Sequence, residues 1–116
     1  MSPAIPKVLD NEMYRLLRED KIDDFNAKRA AGEACDFRGA DFRNVDLHGA
    51  DVRNIDFSDC YFRQANLRGL DMSTCRLEGA SIRDARISGT YFPKELTPEE
   101  IRLSHQFGTR MRYRNL

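Results

Sequence analysis

Arg43, Arg63 and Arg83 stand 20 residues apart, and Arg110, Arg112 and Arg114 alternate near the end of the chain. A guanidinium offers a planar fork of N–H donors that fits a carboxylate or a phosphate. These two periodic sets are the side chains best suited by type and spacing to hold an anion. Two unit charges 5 Å apart in water repel by about 0.8 kcal/mol, so an arginine column needs an offset. Either a bound anion or a nearby acid such as Asp41 or Asp84 would supply it. Other reactive groups are sparse. Cys35, Cys60, Cys75, His48 and His105 form no CxxC or HxxxH spacing, so no metal centre is expected. Neither histidine belongs to a nucleophile arrangement, and no GxxxxGK, GxGxxG or GxSxG segment occurs. The chain is expected to be no enzyme and to hold no cofactor.

The elements that position these arginines follow from a period of five. Phe37, Phe42, Leu47, Val52, Phe57, Phe62, Leu67, Met72, Leu77, Ile82, Ile87 and Phe92 recur at every fifth position. Two residues before each stands a second small or apolar one, from Cys35 and Ala40 through to Ala85 and Thr90. A helix turns about 100° per residue and would scatter this series around its cylinder. In a straight strand an odd period would alternate faces. The pattern therefore needs a chain that turns one corner per repeat, always in the same sense. In Ala40-Asp41-Phe42-Arg43-Asn44, Ala40 and Phe42 point inward and Asp41 outward, and Arg43-Asn44 form the corner. Gly39, Gly49, Gly69, Gly79 and Gly89 share the last corner position with Asn44, Asn54, Asp59 and Asp84, residue types that tolerate unusual backbone angles.

The pattern small-Asp/Asn-Leu/Phe-x-Gly/Asn resembles the pentapeptide-repeat family over 60 of 116 residues. The resemblance implies a β solenoid: a right-handed quadrilateral β-helix with four pentads per coil, so that twelve pentapeptides make three coils. Spacing 20 aligns Gly49 with Gly69 and Gly89, and Arg43 with Arg63 and Arg83, whereas spacing 15 aligns none of the corner glycines. The central residues are then the structural core. Some members of the family resemble DNA in shape and charge, bind DNA gyrase and confer quinolone resistance. That role needs a long acidic rod, whereas this repeat carries nine Lys/Arg against nine Asp/Glu.

Stacked coils have open end faces, which caps must cover. The expected division is a helical N-terminal cap over 1–34, the repeat over 35–94, and a C-terminal helix with a basic tail over 95–116, all one domain. Met13, Leu16, Leu17, Ile22 and Phe25 form an apolar stripe in two short helices broken near Asp20, with Gly32 as the stop. Thr97-Pro98-Glu99-Glu100 reads as a helix start, in which Glu100 reaches back to the capping residue, and Gly108 as the end. Ile101 with His105, and Leu103 with Phe107, are expected to cover the last coil. An intramolecular cap predicts a monomer; the family resemblance leaves a homodimer through the C-terminal ends as the alternative.

Net charge is zero but unevenly spread. Asp36, Asp41, Asp46, Asp51 and Asp56 occupy the outward position in five successive pentads, whereas Arg76 and Arg86 occupy it later. Two readings stand: the acids support local backbone bonds, or the uneven surface orients a partner. No run approaches a membrane helix in length. The segment Met1-Ser2-Pro3-Ala4-Ile5-Pro6 lacks the regions of a secretory leader. Cysteines at inward packing positions, with Cys35 and Cys75 two coils apart, suit a reducing compartment, the cytoplasm. The expected function is a protein-interaction module presenting a rigid surface. The alternatives are the gyrase-binding role and weak nucleic-acid binding through the Arg-rich tail.

Overall fold

Every repeat from Phe37 to Ile87 folds back on itself in a β-turn whose last N–H donates to the carbonyl of the central residue. Ala40 donates to Phe37 at 3.0 Å, Val45 to Phe42 at 3.3 Å, and the series continues to Thr90 and Ile87 at 3.1 Å. The third turn residue takes a positive φ at Gly39, Asn44, Gly49, Asn54, Asp59, Gln64, Gly69, Gly79, Asp84 and Gly89. This places the corners where the glycines and Asx residues predicted them. Gln64 is an unforeseen member, held in the same conformation by coils above and below. Thr74 departs from the series, and its hydroxyl instead accepts the Asn54 N–H at 3.0 Å. The computed structural model describes residues 5–114. Residues 1–4, part of the segment read as lacking a secretory leader, lie outside that range, as do the last two residues of the tail.

Successive coils are 20 residues long. Parallel bridges join Asp41 to Tyr61, Asp46 to Asn66, Asp56 to Arg76, Tyr61 to Ser81, Asn66 to Arg86 and Asp71 to Tyr91. Among the described residues these bridges are isolated and no longer strand occurs. The reason is geometric: between two-residue turns, each side has room for one bridging residue. The bonds are polar along the stack. In most pentads the central residue and the third turn residue send their N–H to the next coil, as Phe42 does to Tyr61 and Asn44 to Arg63. The small residue of most pentads sends its carbonyl the same way, as Ala40 does to the Tyr61 N–H. The edge facing the following coil therefore offers two donors and one acceptor per pentad, and the opposite edge two acceptors and one donor.

The interior is filled as the period predicted. Phe37, Phe42, Leu47, Val52, Phe57, Phe62, Leu67, Met72, Leu77 and Ile82 are buried, whereas Ile87 and Phe92 at the end of the stack are half-buried. Phe37 stacks on Phe57 at 5.8 Å and Phe42 on Phe62 at 5.4 Å, one coil apart in each case. Neighbouring columns meet edge to face, as Phe57 does Phe62 at 5.5 Å. The three cysteines are free thiols; Cys60 and Cys75 are buried and donate to the carbonyls of Phe37 and Val52. No helix of the described residues is long and apolar enough to cross a membrane.

The N-terminal cap is two helices, α1 over Glu12–Arg18 and α2 over Ile22–Ala30. They are separated at Asp20, whose φ of 61° breaks the helix where the sequence placed the break. Met13, Tyr14, Leu17 and Phe25 cover the first coil and join its core. Their polar neighbours meet its carbonyl-rich edge with donors. Tyr14 Oη donates to the Asp41 carbonyl at 2.5 Å and Arg18 to that of Arg43 at 2.9 Å. Asn26 donates to Gly49, and Arg29 to Asp51 and Arg53. Lys7 adds one more bridge, to Ala40.

The C-terminal helix α3 runs over Pro98–Phe107 and ends at Gly108 in the left-handed region, φ 75°. It meets the donor-rich edge with acceptors. Ser104 Oγ accepts the Ile82 N–H at 3.0 Å and the His105 carbonyl that of Asp84 at 3.0 Å. The Met111 carbonyl accepts from Gly79 at 2.7 Å and Tyr113 Oη from Leu77 at 2.8 Å. Two expectations are corrected here. Leu103 and Phe107 do not cover the coil: they are 38% and 60% exposed, while Ile101 is half-buried and Ser104 fully buried. A hydroxyl faces inward because the coil edge presents an N–H that needs an acceptor. Glu100 does not close a capping box; Thr97 Oγ1 accepts its N–H at 3.2 Å, but its carboxylate turns to Arg112.

Candidate functional site

Asp at the outward position does a local task first. Its carboxylate accepts the N–H two residues on: Asp41 from Arg43, Asp46 from His48, Asp56 from Ser58 and Asp71 from Ser73, at 2.9 to 3.1 Å. This pins the start of the corner and bears out the reading of the aspartates as backbone supports. Where the next corner residue is arginine, the same carboxylate also takes its guanidinium. Arg43 binds Asp41 through Nε and Nη2, both at 2.9 Å, and Arg53 binds Asp51 at 2.9 and 3.1 Å. These bonds hold the Asp41 and Asp51 carboxyls below the ordinary carboxylate range. Arg38 reaches Asp36 at 3.3 Å. An Asp-x-Arg pentad is therefore a self-neutralised surface unit.

The 20-residue register stacks Arg43, Arg63 and Arg83 in one column, as the spacing predicted, but their chemical states differ. Arg43 is forked onto Asp41. Arg83 lies 3.8 Å from Asp84. Arg63 forms no ion pair or side-chain hydrogen bond among the described residues. The column is not a continuous anion ladder, because its first member already has its anion.

The basic tail is likewise engaged. Arg110 donates to Tyr61 Oη at 2.7 Å, lies 3.3 Å from Asp59 Oδ1, and sits over the Tyr61 ring. Arg112 grips Glu100 through Nη2 at 2.7 Å and Nε at 3.3 Å, and its backbone N–H adds a third bond at 2.9 Å. Those bonds hold the Glu100 carboxyl below its ordinary value. Arg114 is fixed by its backbone, donating to the Glu95 carbonyl at 2.9 Å, with an exposed side chain. The tail is thus strapped to the stack, with Met111 and Tyr113 facing it and the arginines facing out. The alternation of Arg110, Arg112 and Arg114 carried that signal, which is the period of an extended chain.

Sequence reasoning missed Arg68 and Arg86. Arg68 Nε meets the neutral Asn66 Oδ1 at 3.1 Å, and Arg86 forms no side-chain hydrogen bond or ion pair among the described residues. For Arg68 the signal was Asn66 in place of Asp two residues before; Arg86 follows Asp84 by two residues but forms no ion pair with it. A shallow groove of about 730 Å³ also opens between the Lys7 segment and the stack, lined by Asp36, Arg38, Asp59, Tyr61 and Arg110 among others. Its charges are mixed and largely paired. Among the described residues no group of histidine, cysteine and acidic side chains is placed to hold a metal ion.

No curated protein and no solved structure matches the chain. The family model for pentapeptide repeats matches residues 33–59 and 55–92, in eight copies. With the corners, the register and the buried central residues in agreement, the chain belongs to the pentapeptide-repeat family.

Proposed function

We propose that this protein is a non-enzymatic interaction module, a small rigid surface read by another protein. The observation that carries the reading is the filled interior between two fitted caps. Side chains occupy the space inside the coils, and each cap matches the hydrogen-bonding edge it covers. What remains to act is the outer surface of a stack held in one register. We also infer the finer architecture from the family: a right-handed, four-sided β-helix of three coils. A monomer in the cytoplasm fits the intramolecular cap and the three free thiols. The gyrase-binding alternative calls for an extended negative surface, and here Asp36, Asp41 and Asp51 are each offset by an arginine. The nucleic-acid alternative loses two of its three tail arginines to Asp59 and Glu100.

The test is affinity capture with the full chain at low and moderate salt, with light scattering on the complex. A stoichiometric protein partner retained at moderate salt supports the proposal. Capture of gyrase would replace it with the DNA-mimic reading, and nucleic acid released by salt with the third. Turnover of a substrate by the purified chain would overturn it.

A further inference from the structure

Arg63, Arg68 and Arg83 of the second and third coils lack the aspartate that neutralises the arginines of the first. In the first coil Arg38, Arg43 and Arg53 each follow an aspartate by two residues and pair with it. Arg63, Arg68 and Arg83 occupy the same pentad position but follow Tyr61, Asn66 and Ser81. The carboxylate is gone and the guanidinium stays. Arg68 is left with a neutral amide oxygen and Arg83 with a 3.8 Å approach to Asp84. Arg63 and Arg86 have no side-chain partner of either kind among the described residues.

The register gathers these four groups. The Gln64 N–H bonds the Arg83 carbonyl at 2.9 Å, which sets Arg63 one coil above Arg83. The Asn66–Arg86 bridge sets Arg86 in the same coil pair, one pentad along. All four side chains are exposed. Residues 60–69 and 80–89 contain one acid between them, Asp84. Arginine is among the more weakly hydrated cations and presents paired donors, so a group of four that shares one distant carboxylate, Asp84, favours a carboxylate-bearing partner.

We propose that Arg63, Arg68, Arg83 and Arg86 form a docking surface for a short acidic segment of another protein. The proposal rests on the interaction-module reading and names its partner's chemistry. The boundaries argue for a peptide rather than a nucleic acid. Asp46 lies one coil above, its Oδ1 bonded to Asn66 Nδ2 at 3.0 Å, and Asp71 occupies the outward position of the next pentad. The basic area is thus two coils high, about 5 Å between coils. A duplex, charged about every 1.7 Å along its axis, would run off it onto these acids, whereas a short acidic peptide ends within it.

The test uses the full chain with fluorescein-labelled octaglutamate, read by anisotropy at low salt, and a short labelled DNA duplex beside it. Octaglutamate is expected to bind, and the combined variant Arg63→Gln, Arg83→Gln, Arg86→Gln to bind it roughly tenfold more weakly, as three exposed ion pairs would. The combined variant Arg43→Gln, Arg53→Gln should change affinity by no more than about twofold, because those groups are already paired. Circular dichroism of both variants checks that the fold is kept. No octaglutamate binding, or equal loss in the two variants, overturns the proposal. Tighter binding of the duplex through the same arginines overturns it in favour of nucleic acid. A captured protein partner indifferent to the triple variant overturns the surface while leaving the interaction-module reading standing.

Discussion

Gly79→Ala separates two demands that the corners make on a glycine. Gly79 has φ 83°, where an L-residue costs about 1–2 kcal/mol. Stiffening the unfolded chain returns about 0.4–1 kcal/mol, so backbone alone sets a net loss near 1 kcal/mol by these same terms. Gly79 also seats the side chain of the coil above. A β-carbon there would overlap Asp59 Oδ1 and stand 3.1 Å from its Cγ. Asp59 must then swing aside and leave Arg110, an exposed pair worth at most about 1 kcal/mol. Gly89→Ala is the control: φ is 70° and the nearest atom, Gly69 Cα, is at an ordinary 3.7 Å. Urea denaturation is expected to cost Gly89→Ala about 1 kcal/mol and Gly79→Ala about 2, the excess being the displaced Asp59. In an Asp59→Gly background, which already lacks the pair with Arg110, Gly79→Ala should cost only about 1 kcal/mol, a coupling of about 1 kcal/mol between touching residues. Equal losses at Gly79 and Gly89, with no effect of the Asp59→Gly background, would refute the seating of Asp59.

Three further outcomes test other parts of the account. Phe57→Ala, in the centre of the aromatic stack, is expected to lower stability by roughly 3–5 kcal/mol in the same assay. Asp56→Ala, which loses one N–H acceptor at the surface, should cost about 1 kcal/mol. Glu100 has a lowered pKa because Arg112 bonds its ionised form, so its contribution is whole above the unfolded value, roughly 4.3, and disappears as pH falls through the lower folded value. Glu100→Gln should therefore flatten the acid limb of a stability profile taken between about pH 2 and 6. Burial pushes the Cys60 and Cys75 thiols up to about 12, so alkylation at neutral pH followed by mass spectrometry should label half-buried Cys35 first.

The coil was legible because its signal is repeated. One inward apolar residue in five, and glycine or Asx at each corner, record the same geometry many times. The stacking register was legible from residues that align at spacing 20. Helix ends were legible at Asp20, Gly32, Thr97 and Gly108, where single residues have a strong physical preference. What escaped was chemistry without a period. Lys7 and Met111 add to the sheet through one residue each, which leaves no pattern. The inward face of α3 was misread because apolar Leu103 and Phe107 suggested a core face, whereas the decisive contact is Ser104 with the Ile82 N–H. The tail arginines looked like a free basic patch because Asp59 and Glu100 are distant in sequence and near only after folding.

The polarity of the coil edges would let the length of this protein change by whole pentads, but only whole turns keep its two caps in their present orientation. A donor-rich edge accepts the acceptor-rich edge of another coil, or the C-terminal cap, with equal chemistry. Twenty extra residues inserted at a corner would leave both caps facing the edges they already fit, and would return each to the same side. Five or ten extra residues would fit the edges too, but would rotate one cap against the other by a quarter or half turn about the axis. Lys7 and Met111 lie on the same side, against Ala40 and Ala80. The number of pentads, counted in fours, thus acts as an angular setting between the two ends.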